Sequence, residues 1–170
     1  MKLEISICIF LSITLNSCKL QPLETVNEVN LDKYSGLWYE YAAFPTTFEK
    51  GCRCTTAEYT KNENGIIEAV NKCQKPGKFS EIKGKAFVVE NSNNTKLKVQ
   101  FFWPFKADYW IIDLDKNYEW AVVGNESRKY LWILTRRTFL NQTTYQEIIE
   151  RLEKKGFNVS KLQKTDQDCK

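Results

Sequence analysis

The feature that most constrains the fold is a succession of short β-rich segments that follows Gly36 and is interrupted by turn signals at nearly regular spacing. Turns such as Asn62-Glu63-Asn64-Gly65 and Pro76-Gly77 contain residues that tolerate positive φ, so consecutive segments are expected to pair as hairpins. We count eight segments, which are Leu37–Phe44, Cys54–Thr60, Ile66–Cys73, Glu81–Glu90, Lys96–Trp103, Asp108–Leu114, Tyr118–Val123 and Lys129–Arg136. This pattern predicts an antiparallel sheet whose strands follow one another along the chain.

Eight strands can close on themselves, which removes both exposed sheet edges and leaves an interior wide enough for one small ligand. After the last strand, Thr143–Gly156 has apolar residues on one helical face, N-cap options at Thr143 and Thr144, and Gly156 as its stop. The sequence therefore predicts an all-β fold, an eight-stranded antiparallel up-and-down β-barrel with a C-terminal α-helix packed outside.

The absence of histidine limits the possible functions. It removes the usual general base of Ser and Cys hydrolases and the commonest zinc ligand. Hydrophobic residues make up 42% of the chain and aromatic residues 14%, enough to fill a core and line a cavity. The net charge is +4, and the lysines are interleaved with glutamates and asparagines, which argues against nucleic acid as a partner. We predict no enzyme, no catalytic residue, no metal site and no cofactor.

The N-terminus predicts export. Lys2 precedes an apolar run, Ile5–Leu15, that is too short to span a bilayer as a helix but is typical of a signal peptide. The run ends in Leu15-Asn16-Ser17-Cys18, which resembles a bacterial lipobox, so residues 1–17 would be removed. Cys18 would then carry acyl chains and attach the protein to a membrane, with the bacterial outer membrane as the favoured location.

The alternative is a plain signal peptide and a secreted protein. Four N-glycosylation sequons favour it for a eukaryotic source, at Asn93, Asn125, Asn141 and Asn158. The lipobox is favoured partly because the polar stretch that follows it, which contains a proline, is typical of a tether. We assign residues 18–32 to this tether and residues 33–170 to the barrel domain.

A family resemblance begins at Tyr34-Ser35-Gly36-Leu37-Trp38-Tyr39-Glu40 and continues through residues 44–51. Further matching motifs follow in order, and they are Ala57-Glu58-Tyr59, Tyr109-Trp110-Ile111-Ile112-Asp113-Leu114-Asp115, Tyr130-Leu131-Trp132-Ile133-Leu134-Thr135-Arg136 and Thr165-Asp166-Gln167. Together they resemble the lipocalin family, in particular the branch that includes apolipoprotein D and the bacterial outer-membrane lipocalins. The resemblance implies that Gly36 and Trp38 form the barrel floor and that Arg136 lies across the Trp38 ring. A guanidinium in that position gains roughly 0.5 to 2 kcal/mol.

The cysteines predict two disulfides. Cys8 lies in the signal peptide, and Cys18 is lipidated or removed, so four cysteines remain in an oxidising compartment. The family resemblance implies the pairs Cys54–Cys169 and Cys52–Cys73. Pairing of Cys54 with Cys73 stays open, because the two lie opposite each other across the Asn62–Gly65 turn. A site in which all four thiolates bind a metal is the less favoured alternative.

The predicted cavity follows from strand alternation and from matching motifs to the family. With Trp38 inward, alternation also turns Glu40, Ala42 and Phe44 inward. The predicted ligand-binding residues are mostly apolar and aromatic, and they are Glu40, Ala57, Tyr59, Ala69, Asn71, Val99, Phe101, Tyr109, Ile111, Tyr130 and Trp132. Glu40 and Asn71 are the polar exceptions, and either meets a ligand head group or satisfies internal hydrogen bonds.

These observations predict a protein that binds, stores or transports a small hydrophobic molecule, such as a fatty acid, a lysophospholipid or a similar lipid, at a membrane surface. One alternative is a secreted scavenger of a pigment-like ligand, such as a bilin or haem, and a less favoured one is a lipocalin-type isomerase. The aromatic cluster Phe101-Phe102-Trp103-Pro104-Phe105 is interpreted as core, mouth lining, a homodimer contact or a membrane-touching patch.

Overall fold

Eight antiparallel strands close into a barrel in this computed structural model, which describes residues 21–169. The strands are β1 Gly36–Ala43, β2 Arg53–Lys61, β3 Ile67–Lys75, β4 Lys78–Val88, β5 Lys96–Phe102, β6 Phe105–Leu114, β7 Trp120–Gly124 and β8 Leu131–Thr135. Each strand pairs with the next, and β1 pairs with both β2 and β8, which closes the barrel. The predicted signal peptide (residues 1–17) and Cys18 lie outside the described residues.

The C-terminal helix, α2 Gln142–Lys154, packs on the outside of the barrel through Ile148 and Leu152, which are fully buried. The Asn141 side chain caps it by accepting a hydrogen bond from the Thr143 backbone N–H at 2.8 Å, so the cap precedes the predicted threonines. The predicted all-β fold, an up-and-down barrel with an outer helix, is confirmed. Within residues 21–169, no helix combines the length and the apolar character needed to cross a bilayer.

Three short elements were not predicted. They are a one-turn helix, α1 Leu31–Tyr34, a 3-10 turn at Val159–Lys161, and a ninth strand, β9 Gln163–Lys164. Strand β9 pairs antiparallel with the end of β1. Each is too short to show a periodic hydrophobic pattern, so only its tertiary contacts define it.

Buried side chains form two clusters, one inside the barrel around Trp38 and one between the barrel wall and α2. A bulge interrupts β1 between Glu40 and Ala42, and the extra residue reverses the alternation that follows it. Ala42 therefore pairs with Ile133 and lies with Phe44 in the outer cluster. The prediction that Ala42 and Phe44 face the cavity was wrong for this reason.

The segment before α1 packs against the barrel. The side chains of Leu23 and Val29 are buried, at 4% and 0% exposure. The backbone N–H groups of Val26 and Val29 donate to the carbonyls of Ile111 and Asn93, at 3.1 and 3.0 Å. Within residues 21–32, the described part of the predicted tether 18–32, the structure thus differs from a free tether, because apolar side chains at intervals of three residues join the two cores.

Candidate ligand-binding cavity

A cavity of about 410 Å³ lies inside the barrel. In an up-and-down barrel that begins with β1, the connections β1–β2, β3–β4, β5–β6 and β7–β8 all lie at one end, which we call the mouth. The cavity reaches this end, because Phe48 of the β1–β2 loop and Phe102 at the end of β5 are part of its lining. Its size is within the ordinary range for small-molecule sites.

Most of the predicted ligand-binding residues line this cavity. Nine of them do so, and they are Glu40, Ala57, Tyr59, Ala69, Asn71, Val99, Phe101, Tyr109 and Trp132. They come from β1, β2, β3, β5, β6 and β8, so residues far apart in sequence meet because their strands share one interior. Strand alternation in an uninterrupted register accounts for this agreement on β2 and β3, whereas Phe101 lines the cavity within a shift of the β5–β6 register between Val99 and Phe102.

The other two predicted residues, Ile111 and Tyr130, do not line the cavity. Ile111 has no exposed surface and packs in the inner cluster with Trp38, where the chain segment at Val26 pairs with its backbone. Tyr130 precedes the first paired residue of β8 and is 42% exposed, with its ring stacked on Trp132 at 5.9 Å between centroids. Ile111 therefore belongs to the closed end, and Tyr130 to the rim of the mouth.

The closed end is sealed by Trp38 and Arg136. The guanidinium carbon of Arg136 lies 3.7 Å from the centre of the Trp38 ring. Arg136 also donates to five backbone carbonyls, which belong to Lys33, Tyr34, Ser35, Leu37 and Tyr118. Gly36 has φ +94°, a left-handed conformation that favours glycine, and a Cβ there would lie 3.5 Å from the Arg136 guanidinium. These residues hold the barrel together and do not reach the cavity lining.

Three tyrosines lie between this floor and the upper part of the cavity, and of these Tyr34 and Tyr59 are buried and Tyr109 is half-buried. The Tyr34 and Tyr109 hydroxyls are 2.8 Å apart, and the Tyr109 hydroxyl donates to that of Tyr59 at 3.0 Å. Burial raises the pKa of Tyr59 to about 12 and those of Tyr34 and Tyr109 well above the ordinary value. All three remain neutral at physiological pH, so the base of the cavity is aromatic and uncharged.

Two carboxyl groups, Glu40 and Glu49, lie side by side in the cavity wall. Burial and then the neighbouring Glu49 carboxylate raise the pKa of Glu40 to about 8, against a hydrogen bond from the Thr165 hydroxyl that lowers it. Burial also raises the pKa of Glu49, and hydrogen bonds from Thr46 and Trp132 oppose that change. Two adjacent carboxyls that are partly removed from water do not both ionise readily, so the pair retains a proton at neutral pH.

Glu49 is the most important cavity residue that sequence reasoning missed. It belongs to the β1–β2 loop, outside every alternating strand, so alternation cannot find it. Its carboxylate accepts from the Thr46 hydroxyl at 2.7 Å, and the Thr46 Oγ1 accepts from the Glu49 backbone N–H at 3.3 Å. The Thr-x-x-Glu spacing of these two residues is that of a capping box. This spacing was the one signal in the sequence that could have indicated the contact of Glu49 with Thr46. The Trp132 indole N–H completes the arrangement by donating to Glu49 at 3.2 Å.

Two further polar atoms of the lining lack a partner. Thr55 is 8% exposed, and within residues 21–169 nothing hydrogen-bonds to its Oγ1 atom or to the Oδ1 atom of Asn71. Both side chains line the cavity, on the neighbouring strands β2 and β3. In that same part of the chain, no group of three or more acidic or cysteine side chains is placed to hold a metal ion.

The C-terminal segment supports the polar part of the wall. The Gln167 side-chain amide donates to the backbone carbonyls of Glu40 and Thr55, at 2.8 and 2.9 Å, and so bridges β1 and β2. Disulfides join Cys54 to Cys169 and Cys52 to Cys73, which is the pairing implied by the resemblance. The first ties this segment to β2, and the second ties the β1–β2 loop to β3.

Comparison with known proteins identifies the family. The family model of the lipocalin-like domain matches residues 29–167, which is most of the chain. The chain belongs to the lipocalin family. Members of this family generally bind small hydrophobic ligands, and most are binding or transport proteins. The family recognition made from the sequence motifs is confirmed.

Two relatives of this lipocalin represent the predicted branch. It is 35% identical over 159 residues to the outer membrane lipoprotein Blc of Vibrio cholerae, covering 91% of this chain and 93% of that protein. It is also 35% identical over 162 residues to apolipoprotein D of Macaca fascicularis, covering 91% and 84% of the two chains. Among solved structures, insecticyanin from the tobacco hornworm Manduca sexta has the same fold, with a TM-score of 0.71, 19% identity, and coverage of 86% and 85%.

Proposed function

We propose that this lipocalin binds, stores or transports a small hydrophobic molecule, such as a fatty acid, a lysophospholipid or a similar lipid, at a membrane surface. The observation that carries the proposal is the cavity of about 410 Å³ that reaches the mouth. Its apolar and aromatic lining gains on the order of 25 cal/mol for each Å² of ligand surface removed from water. The nine predicted residues that line it are the proposed contacts with the ligand.

Exposed aromatic side chains at the mouth support action at a membrane surface. They lie on or beside all four mouth connections, and they are Phe48, Phe79, Phe102, Trp103, Phe105 and Tyr130. Trp103 is the most exposed, at 87%. Large exposed apolar patches mark interaction surfaces, and Trp is enriched at membrane interfaces. A lipid could pass from a bilayer into the cavity here without crossing water.

The lipid anchor on Cys18 remains part of this proposal. One relative is named an outer membrane lipoprotein, which agrees with export and attachment. Cells labelled with radioactive palmitate should label the wild-type protein and not Cys18→Ala. Equal labelling of the two proteins, or of neither, contradicts the anchor but leaves the cavity's role intact.

Ligand binding can be tested by obstructing the mouth. Ala107 of β6 lines the cavity and is exposed, so Ala107→Trp fills the entrance at little cost to the fold. The adjacent Lys106 is exposed and lies 4.3 Å from the ring of Phe87, away from the lining, so Lys106→Trp is the matched control. In native mass spectrometry we expect wild type and Lys106→Trp to retain lysophospholipid. The fraction of Ala107→Trp that carries it should be at least tenfold lower. Equal retention by both variants, or none by the wild type, would contradict the proposal.

A further inference from the structure

Hydrogen-bond acceptors gather on one side of the cavity. Glu40 of β1, Thr55 of β2 and Asn71 of β3 belong to three adjacent strands, and Glu49 reaches the same wall from the β1–β2 loop. We call these four residues the acceptor wall. Thr55 Oγ1 and Asn71 Oδ1 are buried without a partner among residues 21–169. Because buried polar atoms are almost always paired in folded proteins, these two atoms indicate a polar group that arrives with the ligand.

The two carboxyls of the wall also keep unused acceptor capacity. An ionised carboxylate accepts up to about four hydrogen bonds. Glu40 accepts one from Thr165, while Glu49 accepts from Thr46, from the Trp132 indole N–H and from protonated Glu40. The remaining lone pairs require donors that these neighbours do not supply.

The charged groups nearest the wall leave the pair without a bound cation. Lys75 lowers the pKa of Glu49 through its charge, but its ammonium donates to the Phe48 carbonyl at 3.2 Å on the exposed rim. Lys72 contacts outward-facing carboxylates of β2 and β4 at 3.9 Å. Asp108, the other acidic residue of the lining, accepts from Lys98 at 2.6 Å. Burial raises the pKa of both Glu40 and Glu49, so the pair holds a proton at neutral pH, and an ammonium ion placed against it would favour its ionised form.

We infer that the acceptor wall selects an amphiphile whose polar end is a protonated amine and that it discriminates against the free carboxylate of the same chain length. This inference rests on the proposed function and narrows its ligands to lipids that carry an amine, which disfavours a free fatty acid. An ammonium carries three donors, which suit the Glu49 carboxylate, the Thr55 hydroxyl and the Asn71 amide oxygen. A carboxylate in the same position can accept from the Thr55 hydroxyl, but it also meets the Asn71 amide oxygen and the acidic pair.

The whole chain has the opposite preference. Its net charge of +4 attracts anions over cations. A preference for the amine must therefore come from local groups in the cavity. The sign of the preference therefore distinguishes selection by the acceptor wall from attraction by the net charge of the chain.

The test uses three probes of equal chain length at pH 7, which are decylamine, decanoate and decan-1-ol. Each displaces the fluorescent probe N-phenyl-1-naphthylamine from the purified protein. We expect decylamine to bind at least about tenfold more tightly than decanoate, with decan-1-ol between them, since charge-assisted hydrogen bonds are about twice as strong as neutral ones. Failure of all three to bind would overturn the proposed function together with this inference. Binding of amine and carboxylate within about threefold of each other would overturn the inference alone.

Variants locate the source of the preference. Glu49→Gln removes the ionisable carboxyl that the β1–β2 loop brings to the wall. We expect it to reduce the ratio of amine to carboxylate affinity to about threefold or less, with little change for decan-1-ol. Glu58→Gln is the control, because Glu58 faces outward on β2, with Lys72 at 3.9 Å, and is expected to keep the wild-type ratio. An undiminished ratio in Glu49→Gln would refute the role of the acceptor wall.

Discussion

Replacing Glu40 with glutamine is expected to remove a large part of the pH dependence of stability. Glutamine has the shape of the protonated acid, and its amide can still donate to Glu49 and accept from Thr165. It cannot ionise. The comparison of wild type with Glu40→Gln therefore isolates the free energy of ionising this one carboxyl inside the barrel.

The magnitude follows from the pKa of Glu40, which burial and the Glu49 carboxylate raise from 4.5 to about 8. Between these two values the folded protein holds a proton that the unfolded chain releases. Stability from this group is therefore complete below pH 4.5 and is lost as the pH rises to about 8. From pH 6 to pH 8 the loss is about 1.4 kcal/mol per pH unit, or on the order of 3 kcal/mol.

The assay is urea unfolding followed by tryptophan fluorescence at pH 6 and pH 9, with both disulfides intact. We expect the wild type to lose about 3 kcal/mol more than Glu40→Gln over this interval, so that the variant is the more stable protein at pH 9. Glu58→Gln, an exposed carboxylate on β2, should follow the wild type. Parallel pH profiles for wild type and Glu40→Gln would refute the reasoning that burial keeps Glu40 protonated.

Two further predictions concern the framework. Arg136→Lys keeps the charge but loses the planar guanidinium that donates to five carbonyls, so we expect the melting temperature to fall by about 5 °C. An unchanged melting temperature in differential scanning calorimetry would contradict the role of Arg136 at the closed end. The disulfide between Cys54 and Cys169 closes 115 residues and that between Cys52 and Cys73 closes 21, so serine pairs are expected to cost about 5 and about 3 kcal/mol in urea unfolding. The reverse order would show that loop length does not set their stabilisation.

Sequence patterns predicted the barrel and most of the cavity because both depend on local alternation. Ala57, Tyr59 and Ala69 occupy uninterrupted stretches of β2 and β3, where a period of two residues carries the inward face along the strand. The same rule failed after Glu40, where a bulge shifts the register and sends Ala42 to the outer core. A bulge is set by pairing with β8, which one strand's sequence does not reveal.

The polar part of the candidate site was less predictable for a different reason. Glu40 was recognised as a polar exception, but its neighbour Glu49 comes from a loop and its partner Thr165 lies 125 residues away. Neither contact has a periodic signature. A local sequence pattern cannot predict that these two acidic side chains meet. Their contact depends on the path of the β1–β2 loop over the closed barrel.

The contacts of Thr165 and Gln167 with β1 can form only at the end of synthesis. A ribosome completes all eight barrel strands before residues 163–169 emerge, since synthesis runs from the N-terminus to the C-terminus. The nascent barrel thus lacks the Thr165 hydroxyl on Glu40 and the Gln167 bridge between β1 and β2. The acceptor wall gains its last hydrogen bonds only when this C-terminal segment docks. Formation of the Cys54–Cys169 disulfide then holds the segment in place.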